Sequence, residues 1–188
     1  MNRKLDVEKA VQAAAELIQC ETGSTVTRLR LLKLLYIADR RCLKETGKPL
    51  IGDRAVAMDC GPLHSTIYNM IKGESIHDRK WSKYIRQSGP RDVHLQHHPG
   101  NSKLSRYEVN LLRQVSIEMM PYGEWELVDL THGFAEYKKA NASRKPKSSV
   151  PIPLEDIIDG VLRTDDKAGI LQDIADSNAF DELFGARA

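Results

Sequence analysis

The sequence predicts a mainly helical α+β fold: a compact helical domain around one central apolar helix, with a small two-stranded β element. Three observations predict it. Residues 28–46, RLRLLKLLYIADRRCLKET, are apolar over most of their circumference and lie between a Thr27 cap and a Gly47 stop. Several other segments repeat apolar residues at helical spacing between Gly and Pro breaks. Strand-like patterning is confined to the short runs Ala55–Met58 and DVHLQHH, residues 92–98.

The elements follow in order. Asp6 caps a first helix whose inner face is Val7, Val11, Ala14, Ala15 and Ile18, broken at Gly23 and Ser24. In the central helix Leu29, Leu32, Leu35, Tyr36, Cys42 and Leu43 follow helical spacing, and Leu31 and Leu34 widen the band. Ala55–Met58 reads as a strand entering a Gly61-Pro62 turn, with Pro62 at the first position of a helix that buries Leu63, Ile67, Met70 and Ile71 and ends at Gly73. The segment from His77 to Arg91 predicts one helical turn around Trp81 and Tyr84, and DVHLQHH a second strand paired with the first. Ser105 and Glu108 form a capping box for a helix running to Pro121. A Pro-Tyr-Gly turn and a helix through Trp125, Val128 and Thr131 follow. The division is a 1–140 domain, a basic Pro-containing linker or loop at 141–153, and an acidic helical extension at 154–188.

Hydrophobic content of 41% and charged content of 29% suit a soluble globular chain, and no apolar run approaches the ~18–20 residues of a membrane span. Three cysteines (20, 42, 60) make no disulfide framework, and with no signal peptide the expected location is cytoplasmic. The net charge of +2 is uneven. From Pro151 onward nine acidic side chains face three basic ones, giving −6 there and +8 on residues 1–150. A basic body suits an acidic partner, protein or nucleic acid.

Candidate chemistry is sparse. Cys60, His64, His94, His97 and His98 are zinc-ligand types, but the histidines fall on a strand and loop, with His94 and His97 on opposite faces, and tight thiolate pairs are missing. Cys60 before a helix N-terminus has the placement of an activated thiol, yet nothing supplies an oxyanion site or an orienting third group. No dinucleotide, P-loop, nucleophile-elbow or zincin motif occurs, so the expectation is no enzyme, no cofactor and no metal. Residues 72–91 hold six basic side chains with Trp81 and Tyr84 interleaved, the composition of a nucleic-acid stacking surface. A solvated loop with Trp81 anchored in the core is the favoured reading of the same residues.

Three pieces recur together: LLKLLYIADR in the central helix, AVAMDCGPLHSTIY, and WELVDLTH after a capped helix. In this order and spacing, over residues 5 to 140, the chain resembles the Panacea-domain, or SocA-like, type II antitoxin family. The matching positions are Lys33, Leu34, Leu35, Tyr36 and Asp39, then Gly61, Pro62, Ser65 and Tyr68, then Trp125, Leu127, Leu130 and His132. Cys60 stands where the family commonly has an aromatic residue, and Met58 where the strand usually has a bulkier one. The resemblance implies a non-enzymatic antitoxin of a toxin-antitoxin system that neutralises a cognate toxin by direct protein-protein binding. Leu32, Leu35, Tyr36, Gly61, Pro62, Trp125 and Leu127 are expected to hold the scaffold, and His132 to hydrogen-bond across the core. Arg40, Arg41, Lys44, His64, Tyr68 and Lys72 are expected at the partner surface. The alternatives are a nucleic-acid-binding regulator, using the 72–91 segment, and an adaptor delivering a bound partner to a cytosolic protease.

Overall fold

The computed structural model describes residues 5–162 and 167–184. Helix α1, Val7–Gln19, begins where the Asp6 carboxylate accepts the Lys9 N–H at 3.1 Å. A turn through Gly23 leads to β1, Thr25–Thr27, and directly into α2, Arg28–Thr46, whose Thr27 hydroxyl accepts the Arg30 N–H. Every residue from Leu31 to Asp39 is buried, so the middle of α2 is enclosed on all sides, and Gly47 in the left-handed region ends the helix.

After α2 come β2, Ala55–Met58, β3, Gly61–His64, and α3, Ser65–Lys72. A short α4, Asp78–Ser82, precedes the hairpin of β4, Ile85–Ser88, and β5, Asp92–Leu95. Helices α5, Arg106–Met119, α6, Glu124–His132, and α7, Ala135–Asn141, return across α2. The predicted Ser105–Glu108 capping box is present in both directions. Beyond it lie β6, Val150–Pro151, α8, Leu154–Val161, and α9, Lys167–Phe184.

The class is mainly helical α+β, but the strands pair differently from expectation. Ala55–Met58 does not pair with residues 92–95. Two three-stranded antiparallel sheets form among the described residues, in the orders β1-β5-β4 and β3-β2-β6. The Gly61-Pro62 step is not a turn into a helix either. The turn is Asp59-Cys60, Pro62 lies on an edge strand, where its missing N–H costs no ladder bond, and the helix starts three residues later at Ser65. Asp53 fixes that start by accepting the Thr66 and Ile67 N–H groups at 2.8 and 3.0 Å.

The main core joins α1, α2, α5 and the inner faces of the first sheet. A second apolar cluster seats Ile152, Leu154, Ile157, Ile158 and Ile174 against Tyr36, Leu43 and Tyr137. Within the 141–153 stretch, Val150 and Pro151 therefore pair as a strand with β2 and Ile152 enters the core. No helix among the described residues is long and apolar enough to cross a membrane.

Candidate functional site

The polar residues of the α2 stripe converge beneath the β2–β3 hairpin. Lys33 is 0% exposed, and its Nζ donates to the Pro62 carbonyl at 2.9 Å. Burial lowers its pKa to about 7, with the nearby Cys60 opposing the shift. Gly61 makes this approach possible. Its φ is +94°, and a Cβ there would lie 2.7 Å from Lys33 Nζ, 2.9 Å from Thr131 Oγ1 and 3.1 Å from His132 Cδ2. His132 stacks on Tyr137 with ring centroids 4.7 Å apart, and burial, reinforced by the Lys33 charge, lowers its pKa. The ring hydrogen-bonds to the Asp59 backbone in the hairpin turn, while its Nε2 has no hydrogen-bond partner among the described residues.

One turn further along α2, the Tyr36 hydroxyl donates to Glu136 Oε1 at 3.3 Å, and burial followed by the Glu136 charge holds its phenol well above the usual range. Arg40 donates from Nε to the same oxygen at 2.7 Å and from a terminal nitrogen to the Gly160 carbonyl at 2.9 Å, with its guanidinium 4.1 Å above the Phe134 ring. Asp39 accepts the Ile51 N–H at 2.6 Å and so fixes the loop after α2. His64 was expected on the surface, but it is 1% exposed. As the last β3 residue it faces inward, its Nε2 3.8 Å from Asp39 Oδ2 and its ring 5.7 Å from Tyr36. Cys60 sits in the hairpin turn, five residues ahead of α3, so a helix N-terminus does not act on it.

Lys33, Tyr36, Arg40 and Glu136 thus clamp the hairpin, α7 and α8 onto α2. Lys33, Tyr36, His64 and Glu136 are buried. Leu35 and Leu127 are buried as scaffold residues. Trp125 is not, being 61% exposed in the first turn of α6. Sequence reading missed Glu136, the acidic centre of the cluster, because in AEYKKAN it looks like one more charge on a solvated face.

On the outside, Ile37, Arg40, Arg41, Lys44, Met119, Leu130 and Phe134 line a groove of about 480 Å³ between α2, α5 and α6. Three of the expected contact residues therefore meet at one place. Arg40 is tied inward, Arg41 pairs with Glu118, and Lys44 is exposed. The adjoining α5–α6 corner exposes Ile117, Met120 (64%), Tyr122 and Trp125. Tyr68 and Lys72 lie elsewhere, on α3, with the Lys72 amine 5.3 Å over the Tyr68 ring and paired to Glu74. In the basic 72–91 segment Trp81 is 3% exposed, so it is a core residue and its ring gives no stacking face. Among the described residues no group of three or more His, Cys, Asp or Glu could hold a metal ion.

No curated protein and no solved structure matches the chain. A family model does: the Antitoxin SocA-like, Panacea domain, over residues 31–138. That span runs from the first buried turn of α2 to α7 and contains Lys33, Tyr36, Gly61, Pro62, His64, His132 and Glu136, the residues of the buried clamp. More than half of the sequence lies inside the match, and the chain belongs to the SocA-like antitoxin, Panacea-domain family.

Proposed function

We propose that this protein is the antitoxin of a toxin-antitoxin pair in the cytoplasm, and that it neutralises its cognate toxin by direct binding, without catalysis. The observation that supports this reading is the α5–α6 corner. Four large apolar side chains, Ile117, Met120, Tyr122 and Trp125, are exposed within nine residues and adjoin the groove over α2, whose rim carries Arg41, Lys44 and Glu45. Exposed apolar patches with a polar rim mark protein-binding surfaces, and aromatic and Met side chains are favoured anchors in them. Lys33, Tyr36 and Asp39 spend their polar groups inside the scaffold, which is consistent with recognition by this outer face.

The test is co-expression with the product of the adjoining open reading frame. Growth should be arrested by that product alone and restored by this protein, and the two should co-elute on size exclusion. Met120→Asp and Trp125→Asp should abolish co-elution and rescue while leaving the melting temperature unchanged, since both side chains are exposed. Rescue that persists in the double variant would refute this face as the binding surface. Growth that does not depend on this protein at all would refute the antitoxin reading.

A further inference from the structure

The exposed apolar side chains of the α5–α6 corner are set in charge of the opposite sign to the body that carries them. Residues 1–150 sum to +8, yet residues 114–131 hold Glu118, Glu124, Glu126 and Asp129 and no lysine or arginine. Glu118 pairs with Arg41. Glu124, Glu126 and Asp129 make no ion pair among the described residues, which leaves a local charge of −3 beside Met120, Tyr122 and Trp125. The outward face of α6 interleaves the two kinds. Trp125, Glu126, Asp129 and Leu130 are all exposed, with Asp129 one turn from Trp125 and Leu130 one turn from Glu126. The corner is also held in one shape. Arg30 donates to the Tyr122 carbonyl at 2.5 Å and to the Met119 carbonyl at 3.2 Å, closing the turn between the helices, and its Nε donates to Glu21 at 2.9 Å. Thr27 donates to one oxygen of Glu124 at 2.6 Å, and the Gly123 N–H donates to one oxygen of Glu126 at 2.7 Å. Each carboxylate is thereby aimed, with its second oxygen left over for a ligand group.

We propose that the cognate partner meets this corner with a basic surface, on which lysine or arginine side chains ring an apolar socket that takes Met120 and Trp125. The proposal rests on the antitoxin reading and specifies the chemistry of the partner at the same face. Carboxylates of one sign around an apolar centre attract cations and repel nucleic acid, and they speed the encounter with a basic protein. Large aromatic and Met side chains form the centre of such interfaces, with charges at the rim. Carboxylates already fixed by Thr27 and Gly123 have less freedom to lose on binding than free ones. The cations of the adjoining groove do not cancel the charge. Arg40 is bound to Glu136 and the Gly160 carbonyl, Arg41 to Glu118, and Lys44 lies on the α2 wall beside Glu45. The basic body of a second copy would also answer the charge. That contact is head-to-tail, however, and head-to-tail contacts run on into open chains unless they close as rings.

The test is surface plasmon resonance of the full chain on the immobilised product of the adjoining open reading frame, at 0.1 M and 1 M salt. The double variant Glu126→Gln, Asp129→Asn removes two charges, and the glutamine still offers an oxygen to the Gly123 N–H. Its association should be roughly three- to tenfold slower than that of the native chain at 0.1 M salt. At 1 M salt, where the screening length falls to about 3 Å, the two should differ by less than about twofold. Asp129→Lys should associate more slowly than Asp129→Asn, an order set by charge and not by shape. Asp173→Asn with Asp176→Asn, which removes two charges from α9, should change nothing. Equal association of the native chain and the Glu126, Asp129 double variant at 0.1 M salt would overturn the proposal and leave the antitoxin reading standing. An equal slowing by the α9 variant would overturn it too, by showing that net charge is read and not the corner. Salt-sensitive self-association of the native chain that is lost in the Glu126, Asp129 double variant would overturn it in favour of a second copy. A product that does not bind the native chain at all would remove the antitoxin reading, and this proposal with it.

Discussion

Replacing Lys33 by Met tests the buried amine directly. Folding takes the Lys33 ammonium from water into a site where it gains one carbonyl partner and, among the described residues, no carboxylate. Its pKa falls from 10.5 to about 7. The folded state thus binds fewer protons at this group than the unfolded chain between those two values, and stability from Lys33 rises with pH across that window. It is fully present above the unfolded pKa and is lost as pH falls through about 7. One proton corresponds to roughly 1.4 kcal/mol per pH unit, so the gain from pH 7 to pH 10 is on the order of 4 kcal/mol. The assay is urea unfolding of the native chain and Lys33→Met at pH 7, 8, 9 and 10, both carrying Cys60→Ser so that the neighbouring thiol does not titrate. The variant leaves the Pro62 carbonyl without its donor, a constant offset, so the measured quantity is the slope of the difference. The native chain should gain on the variant steadily as pH rises. Parallel curves would refute the reasoning, since they would mean that Lys33 binds its proton equally in both states.

Two further substitutions probe the same clamp. Gly61→Ala combines a positive φ with a Cβ placed 2.7 Å from Lys33 Nζ, and should cost about 3 kcal/mol or more in chemical unfolding. Gly100→Ala, where φ is +82° but nothing lies within 4 Å, should cost only ~1–2 kcal/mol, and equal losses would show that close approach is irrelevant. Glu136→Gln removes the charge that balances Arg40, whose side chain is itself partly exposed, and should lower stability by about 2–3 kcal/mol, with a smaller loss in the Arg40→Met background. Additive losses in that double-mutant cycle would show that the two side chains are not coupled.

What the sequence disclosed was local chemistry. The Asp6 and Thr27 caps, the Ser105–Glu108 box and the Gly47 stop each depend on residues within one turn of each other, and each is found where the spacing puts it. Strand pairing is not local. The three-residue β1, the four-residue β4 and the two-residue β6 are too short to show an alternation, and β2 finds its partners on β3 and β6 by geometry the spacing does not encode. The CGPLH stretch fits a turn with a helix start as well as it fits an edge strand, and the choice decides whether His64 is outside or inside. Lys33 was picked out by family resemblance alone. In a helix apolar on most sides, a lysine reads as a snorkelling side chain until the Gly61 approach is seen.

Arg40 and the Gly160 carbonyl that it holds are 120 residues apart. At roughly 5–20 residues per second, a ribosome needs about 6 to 24 s to deliver the second after the first. Throughout that interval α2 can bury one flank against α1 and α5, while Tyr36 and Leu43 wait for Ile157 and Ile158. The nascent chain therefore carries a wet apolar seam until β6 and α8 emerge, and their docking is a late, contact-order-limited step.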